Sequence, residues 1–348
     1  MIGIIAANNV RFSPYIFYYT DLLDEIGIEY EVVIPDRHPD LKENFNGKLI
    51  KLSWDNKKKK IFNYIIYSNA VKKIAKRKYN YLIVLTTVNG VFSFPWLKKF
   101  FSKRYILDIR DYTHEYNKVY FEIEKRLIYH AEKTVISSKK YQEFLPKHDY
   151  LICNNINNSV KKSKYKFKKK QGKIIIGYVG AISYETQCKK MIDLIDKDEN
   201  YEFHFYGTGI AEKKLREYVQ KQNKKRIIFY GKYDNVDKER IIQKIDILFN
   251  VYGNGTPLVD YALSNKLYDA LLFHKPILTS PNTYMHELGG PLSFAMDLDK
   301  NDILLDLWTW YQKLDNVTLD QYANELFPQL VKENLETQEA IKQILKVK

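Results

Sequence analysis

At 348 residues the chain is too long for one ordinary domain and long enough for two, each able to bury its own core. A composition that is 45% hydrophobic and 28% charged excludes a disordered chain. Its two cysteines, Cys153 and Cys188, stand far apart outside any C-x-x-C or Cys/His spacing, which excludes a disulfide framework and a structural zinc site.

In chain order, IGIIAA from Ile2 reads as a buried strand ending in a polar loop, Asn8–Ser13, and PYIFYYTDLLDEIGI as a helix opened by Pro14. EYEVVIP is the next strand, and IFNYIIYSNAVKKIAKRK the next helix. YLIVLT (Tyr81–Thr86), RYILDI (Arg104–Ile109), TVISS (Thr134–Ser138) and YLICNN (Tyr150–Asn155) continue the strands. Residues 158–171 are polar and lysine-rich and read as a linker. A second series then begins. Strands KIIIGYVG, YEFHFYGTG, RIIFYG and DILFNVYG alternate with helices over KKMIDLI, AEKKLREYVQ and KERIIQKI, followed by helix NKLYDALLF and strand KPILTS.

Strands alternating with helices predict parallel sheets covered on both faces. The expected fold is α/β, with two Rossmann-like doubly wound lobes facing a central cleft and ligand loops at the carboxyl ends of the strands. The expected divisions are a lobe over 1–157, the linker over 158–171, a second lobe over 172–325, and a terminal segment, 326–348. Its helix, near Leu326–Leu345, is expected to return to the first lobe.

The opening MIGIIAANNV lacks the basic start and apolar run of a signal peptide, and no uncharged apolar stretch reaches the length needed to cross a bilayer. The expected location is therefore the cytoplasm. The net charge of +14 is unevenly placed: residues 1–170 hold 33 Lys and Arg against 17 Asp and Glu, the remainder 23 against 25. Clusters lie at Lys57–Lys60, Lys72–Lys78, Leu97–Arg104 and Lys161–Lys170. Such a field either attracts a polyanion, such as an anionic membrane surface, a lipid diphosphate or nucleic acid, or is a solvated face.

Gly207 and Gly209 in YGTG, Gly180 in GYVG and Gly231 in FYG each follow an apolar strand. Glycine there is either a tight turn or a close approach to phosphate or ribose at a helix N-terminus. The segment GNGTPLVDYALSNKLYDALLFHKPILTS carries more: a glycine loop with Thr256, then Ser264 as a potential cap, Asn265 and Lys266 in the first helical turn, and Asp269 one turn on. Lys266 suits a diphosphate and Asp269 suits ribose hydroxyls, unless Ser264 is only a cap and the charges are solvated.

From Ile174 to Ser280 the succession IIIGYVG, FHFYGTG, IIFYG, DILFN, SNKLYDALLFHKPILTS resembles the donor-binding lobe of GT-B glycosyltransferases of the family 4 type. There the last element has the form E-A-x-x-x-G-K-P-V and its acid binds the donor ribose. The resemblance puts Asp269 in that role, with His274, Lys275 and Pro276 where glycine, a base and proline are common. Two departures stand out. Tyr261 occupies the place of the first member of the family's acidic pair, with only its neighbour Asp260 acidic. Ala181, Ile182 and Ser183 follow Gly180 where Arg and Lys often hold the diphosphate. The S-x-K start favours Lys266 as the replacement, with Lys189 and Lys190 as alternatives.

In the first lobe, ILDIRDYTHEY places Asp108, Arg110, Asp111 and His114 just past a strand. Asp111 is a candidate base for an acceptor hydroxyl with Arg110 orienting it, or else Asp108, Arg110 and Asp111 form a salt-bridged strand end. Asn8, Asn9 and Arg11 are acceptor-side candidates. The resemblance implies transfer from a UDP- or GDP-sugar to a carbohydrate acceptor, with no cofactor and no metal required. The basic first lobe and the aromatics Phe92, Phe94, Trp96, Phe100 and Phe101 suit a lipid-linked acceptor at the inner membrane face, as in capsule or O-antigen assembly. The other readings are a sugar-nucleotide epimerase, a catalytically silent partner subunit, and a nucleic-acid-binding protein. The last lacks any helix-turn-helix, zinc-finger or RNA-binding aromatic signature.

Overall fold

A computed structural model describes residues 1–156, 164–169 and 172–347, so most of the expected linker lies outside the described residues. The chain divides into two compact units, Met1–Asn154 with Glu333–Lys348, and Asn155–Lys332.

The first unit runs β1 (Ile2–Ile5), α1 (Ile16–Glu25), β2 (Tyr30–Asp36), β3 (Leu49–Ser53), α2 (Lys60–Lys78), β4 (Tyr81–Leu85), α3 (Thr87–Phe101), β5 (Tyr105–Ile109), α4 (Lys118–His130), β6 (Lys133–Ile136) and β7 (Tyr150–Ile152). Its sheet is wholly parallel, in the order β3-β2-β1-β4-β5-β6-β7. Central strands β1, β4 and β5 are buried along their whole length, which is why β1 and β4 read as unbroken apolar runs and β5 is interrupted only by Asp108. β3 is an edge strand with alternating exposure.

The second unit runs β8 (Ile174–Val179), α5 (Glu185–Ile195), β9 (Tyr201–Tyr206), α6 (Glu212–Lys221), β10 (Ile227–Gly231), α7 (Lys238–Lys244), β11 (Ile247–Asn250), α8 (Pro257–Asp260), α9 (Asn265–Phe273), β12 (Ile277–Thr279), α10 (Tyr284–Gly289), β13 (Ser293–Ala295), α11 (Ile303–Lys313) and α12 (Asn316–Lys346). Its parallel sheet has the order β10-β9-β8-β11-β12-β13. Both sheets reverse direction beside their first strand, the doubly wound arrangement that leaves a crevice outside the carboxyl ends.

α12 begins at Asn316, ten residues before the helix expected from the apolar spacing. Its last part, from Glu333, belongs to the first unit. There Ile341 and Leu345 join the core of Ile4, Tyr19, Ile83 and Ile106. Asn334 clasps Asn154 through both backbone groups, accepting from the amide at 2.6 Å and donating to the carbonyl at 2.8 Å, while Thr337 donates to the Ile152 carbonyl.

Candidate functional site

The candidate donor site is built on the carboxyl end of the second sheet. α9 follows β11 and the short α8, and Lys266 in its first turn is 8% exposed. Burying an ammonium is costly unless its donors and charge are met. Its Nζ donates to the Tyr252 hydroxyl at 2.8 Å and stands 4.4 Å from the centre of the Tyr178 ring. A Cβ built on Gly180 would lie 4.0 Å from the same nitrogen, so the charge sits beside the glycine that follows β8.

The glycine turns around that charge are tightly knit. The Gly180 amide donates to the Tyr206 carbonyl, Ile182 to Thr208, and Ala211 back to Ile182. A Cβ on Gly207, whose φ is +131°, would fall 2.0 Å from the Gly180 carbonyl oxygen. A Cβ on Gly209 would meet the Ile182 carbonyl oxygen at 2.2 Å. Close backbone approach is therefore the reason for glycine at these two positions. A Cβ on Gly231, at the end of β10, would meet nothing within 4 Å.

Other expected residues have partners the sequence does not disclose. Ser264 occupies the N-cap position, but its hydroxyl does not cap: it donates to Asn250 Oδ1 at 2.8 Å, tying α9 to the end of β11. Asn265 Oδ1 accepts from Asn155. Asp269 is largely buried and pairs with Lys238 of α7 at 2.6 Å. Desolvation raises its carboxyl above the usual range, opposed by Lys238 and more weakly by Lys266. A carboxylate has about four acceptor positions, so the pair with Lys238 leaves capacity for hydroxyl donors.

Thr256 is exposed ahead of α8, and Asp260 accepts from the Gly255 amide, an engagement internal to its loop. His274 adopts a left-handed conformation, φ +51°, at the end of α9, where the related motif has glycine. It is fully buried, with Nδ1 2.5 Å from Asp320. Residues the sequence reading passes over complete the site: Tyr252, Tyr184 stacked on it at 4.0 Å, and Lys238. Tyr252 immediately precedes the GNG loop, the one signal that marks it. Ser280, closing the KPILTS strand, accepts from the Tyr252 and Gly253 amides.

In the first unit, Asp108 is fully buried at the end of β5, bonded to Tyr19 at 2.5 Å and paired with Arg110 at 2.6 Å. Arg110 also donates to the Cys153 carbonyl. Their charges are thus spent within the unit. Asp111 reaches the surface, yet the protein mass around it desolvates the carboxyl and raises it, with Arg110 opposing and Asp108 adding. His114 is exposed against Tyr116 and Tyr120. Of the acceptor-side candidates, Asn9 is fully buried and holds Glu43 and the Arg37 amide, Asn8 accepts from the Asn9 amide, and Arg11 is exposed.

Glu124 of α4 is fully buried and interacts with Glu115. Burial first, and the Glu115 charge second, push its carboxyl up to about 9. It stays protonated in the fold while the unfolded group ionises near 4.5, so its contribution to stability is fully present below that pH and is lost as pH rises toward 9. Glu124→Gln is expected to raise Tm at pH 8 by about 2–4 °C and to change little near pH 4.5. An equal gain at both pH values would trace the effect to packing instead.

The aromatics expected to face a bilayer are mostly inside: Phe94, Trp96 and Phe101 are buried in α3, and Trp96 Nε1 donates to Ser68. Lys103 caps the Tyr129 and Ala131 carbonyls, and Arg104 donates to the Phe100 carbonyl. Their positive charge serves helix ends. The large exposed apolar side chains of this region lie instead on α2: Ile61, Phe62, Ile65 and Ile66. Among the described residues no helix is long and apolar enough to cross a membrane, and no group of three or more His, Cys, Asp or Glu is arranged to hold a metal ion.

No protein-family model and no curated protein sequence matches the chain. Solved structures do. Sucrose-phosphate synthase from Thermosynechococcus elongatus matches with a TM-score of 0.74 and 13% identity, covering 100% of this chain and 99% of that one. HepE of Anabaena in complex with UDP matches at 0.70 and 12%, covering 99% and 100%. The lipopolysaccharide outer core galactosyltransferase WaaB matches at 0.67 and 14%, covering 98% and 100%. A Listeria monocytogenes protein assigned as a UDP-N-acetylglucosamine 2-epimerase matches at 0.61 and 13%, covering 100% and 97%. At these identities the likeness is one of fold, and two doubly wound parallel-sheet units of this kind are the GT-B architecture of glycosyltransferases.

Proposed function

We propose that the protein is a GT-B glycosyltransferase that moves a hexosyl unit from a UDP- or GDP-sugar to a carbohydrate acceptor. The observation that carries this reading is Lys266, a nearly buried ammonium held beside Gly180 at the carboxyl end of the second sheet. A diphosphate placed there meets Lys266 and the N-terminus of α9, and Asp269 on the same helix accepts from the ribose. This charge stabilises the departing nucleotide diphosphate from protein groups alone, without a metal. Asp111, with its raised carboxyl, is the base for the acceptor hydroxyl on the first unit. One structural neighbour, HepE, solved in complex with UDP and with UDP-glucose, favours the same ligand class. Titration of the full chain with UDP and GDP tests the reading. Absence of binding to either would refute it, and turnover of a UDP-sugar with no acceptor present would favour the epimerase alternative.

The acceptor is proposed to be lipid-linked, in surface-polysaccharide assembly at the inner membrane face, with α2 as the contact. Ile61, Phe62, Ile65 and Ile66 are 53%, 56%, 44% and 47% exposed, and residues 57–78 hold nine Lys and Arg and no Asp or Glu. An exposed apolar ridge framed by cations alone suits an anionic bilayer. Replacing the four apolar residues with Ser is expected to cut cosedimentation with anionic vesicles by more than about tenfold; an unchanged bound fraction would remove the membrane claim.

A further inference from the structure

We propose that Tyr252 is a positioning residue that sets Lys266 beside Gly180 for a nucleoside diphosphate, an assignment that rests on the donor-site reading above. No cation follows Gly180 in the chain, since Ala181, Ile182 and Ser183 occupy those places. Lys189 and Lys190 of α5 are paired with Glu185 and Asp299, so the positive charge comes from α9, on a lysine stem with four rotatable carbons. Left to itself such a stem samples many rotamers, and ordering it on binding costs affinity.

The structure removes that freedom before any ligand arrives. The Tyr252 hydroxyl takes one of the three ammonium donors at 2.8 Å. The Tyr178 ring lies 4.4 Å from Nζ, and such a ring favours a cation. Tyr252 is itself fixed twice: its ring stacks on Tyr184 at 4.0 Å with the planes 10° apart, and its amide donates to Ser280. Two ammonium donors remain for phosphate oxygens. Tyr252 therefore does through a side chain what a cation placed directly after the strand does through the backbone: it fixes where the positive charge stands.

Tyr252→Phe removes only the hydroxyl and keeps the stacking on Tyr184 and the contact of Nζ with Tyr178. The test is isothermal titration of the full chain with UDP and GDP, and with uridine and guanosine. The variant is expected to bind the diphosphate about tenfold more weakly, with nucleoside affinity and melting temperature unchanged. Tyr184→Leu, which takes away the stacking partner and leaves the hydroxyl, is expected to give a smaller loss of the same diphosphate-selective kind. Equal losses for nucleoside and diphosphate would reduce Tyr252 to a packing residue and overturn the assignment. If the unaltered protein binds UDP or GDP and Lys266→Met weakens it while Tyr252→Phe does not, the assignment alone fails. If the unaltered protein binds neither diphosphate, the donor-site reading fails and takes the assignment with it.

Discussion

Gly207→Ala is expected to destabilise the second unit by about 3–5 kcal/mol and to lower its melting temperature by roughly 10 °C. Two costs combine. The added Cβ would meet the Gly180 carbonyl oxygen at 2.0 Å, a backbone atom held by the pairing of β8 with β9, so neither side can yield cheaply. The φ of +131° is also one that an L side chain rarely adopts. Gly255→Ala is the control, because its φ of +88° is strained too but nothing stands within 4 Å. Thermal melts of the two variants separate the terms. If Gly207→Ala costs no more than Gly255→Ala, the close approach of the two strand-end turns is not what demands glycine.

Lys266→Met is expected to weaken UDP or GDP binding by about a hundredfold while leaving the melting temperature close to that of the unaltered protein. Methionine fills nearly the same volume between Tyr178 and Tyr252 and needs no donors satisfied, so the fold loses a hydrogen bond and is spared the burial of a charge. The ligand loses the cation facing its diphosphate. Calorimetry decides the matter: an affinity within twofold of the unaltered protein would place the diphosphate away from Gly180.

The two sheets were legible from residue order because buried parallel strands are unbroken apolar runs, as in YLIVL and IIIGYV, and helices of another period separate them. α3 was not. Its segment TVNGVFSFPWLKKFF is buried on most sides and interrupted by Gly90 and Pro95, so it shows no helical stripe and its aromatics read as a surface. β3, LIKLS, is a half-exposed edge strand of five residues, too short and too polar on its open side to give a strong signal. On α2 the sequence contains the four exposed apolar residues, but which face of that helix meets the sheet depends on neighbours far along the chain.

The donor segment Ser264–Ser280 divides in the same way. Residue order alone established a glycine-rich strand end, a helix beginning S-N-K, an acid one turn later and a closing strand, because each of these follows from local period and turn chemistry. Which charges are held, and by what, belonged to the tertiary structure. Lys266 is fixed by Tyr252, fourteen positions earlier; Asp269 is met by Lys238, thirty-one positions earlier; and Ser264 is drawn away from its helix to Asn250. Hydrogen bonds and ion pairs between residues so far apart are set by which strands lie side by side, and no local pattern encodes that.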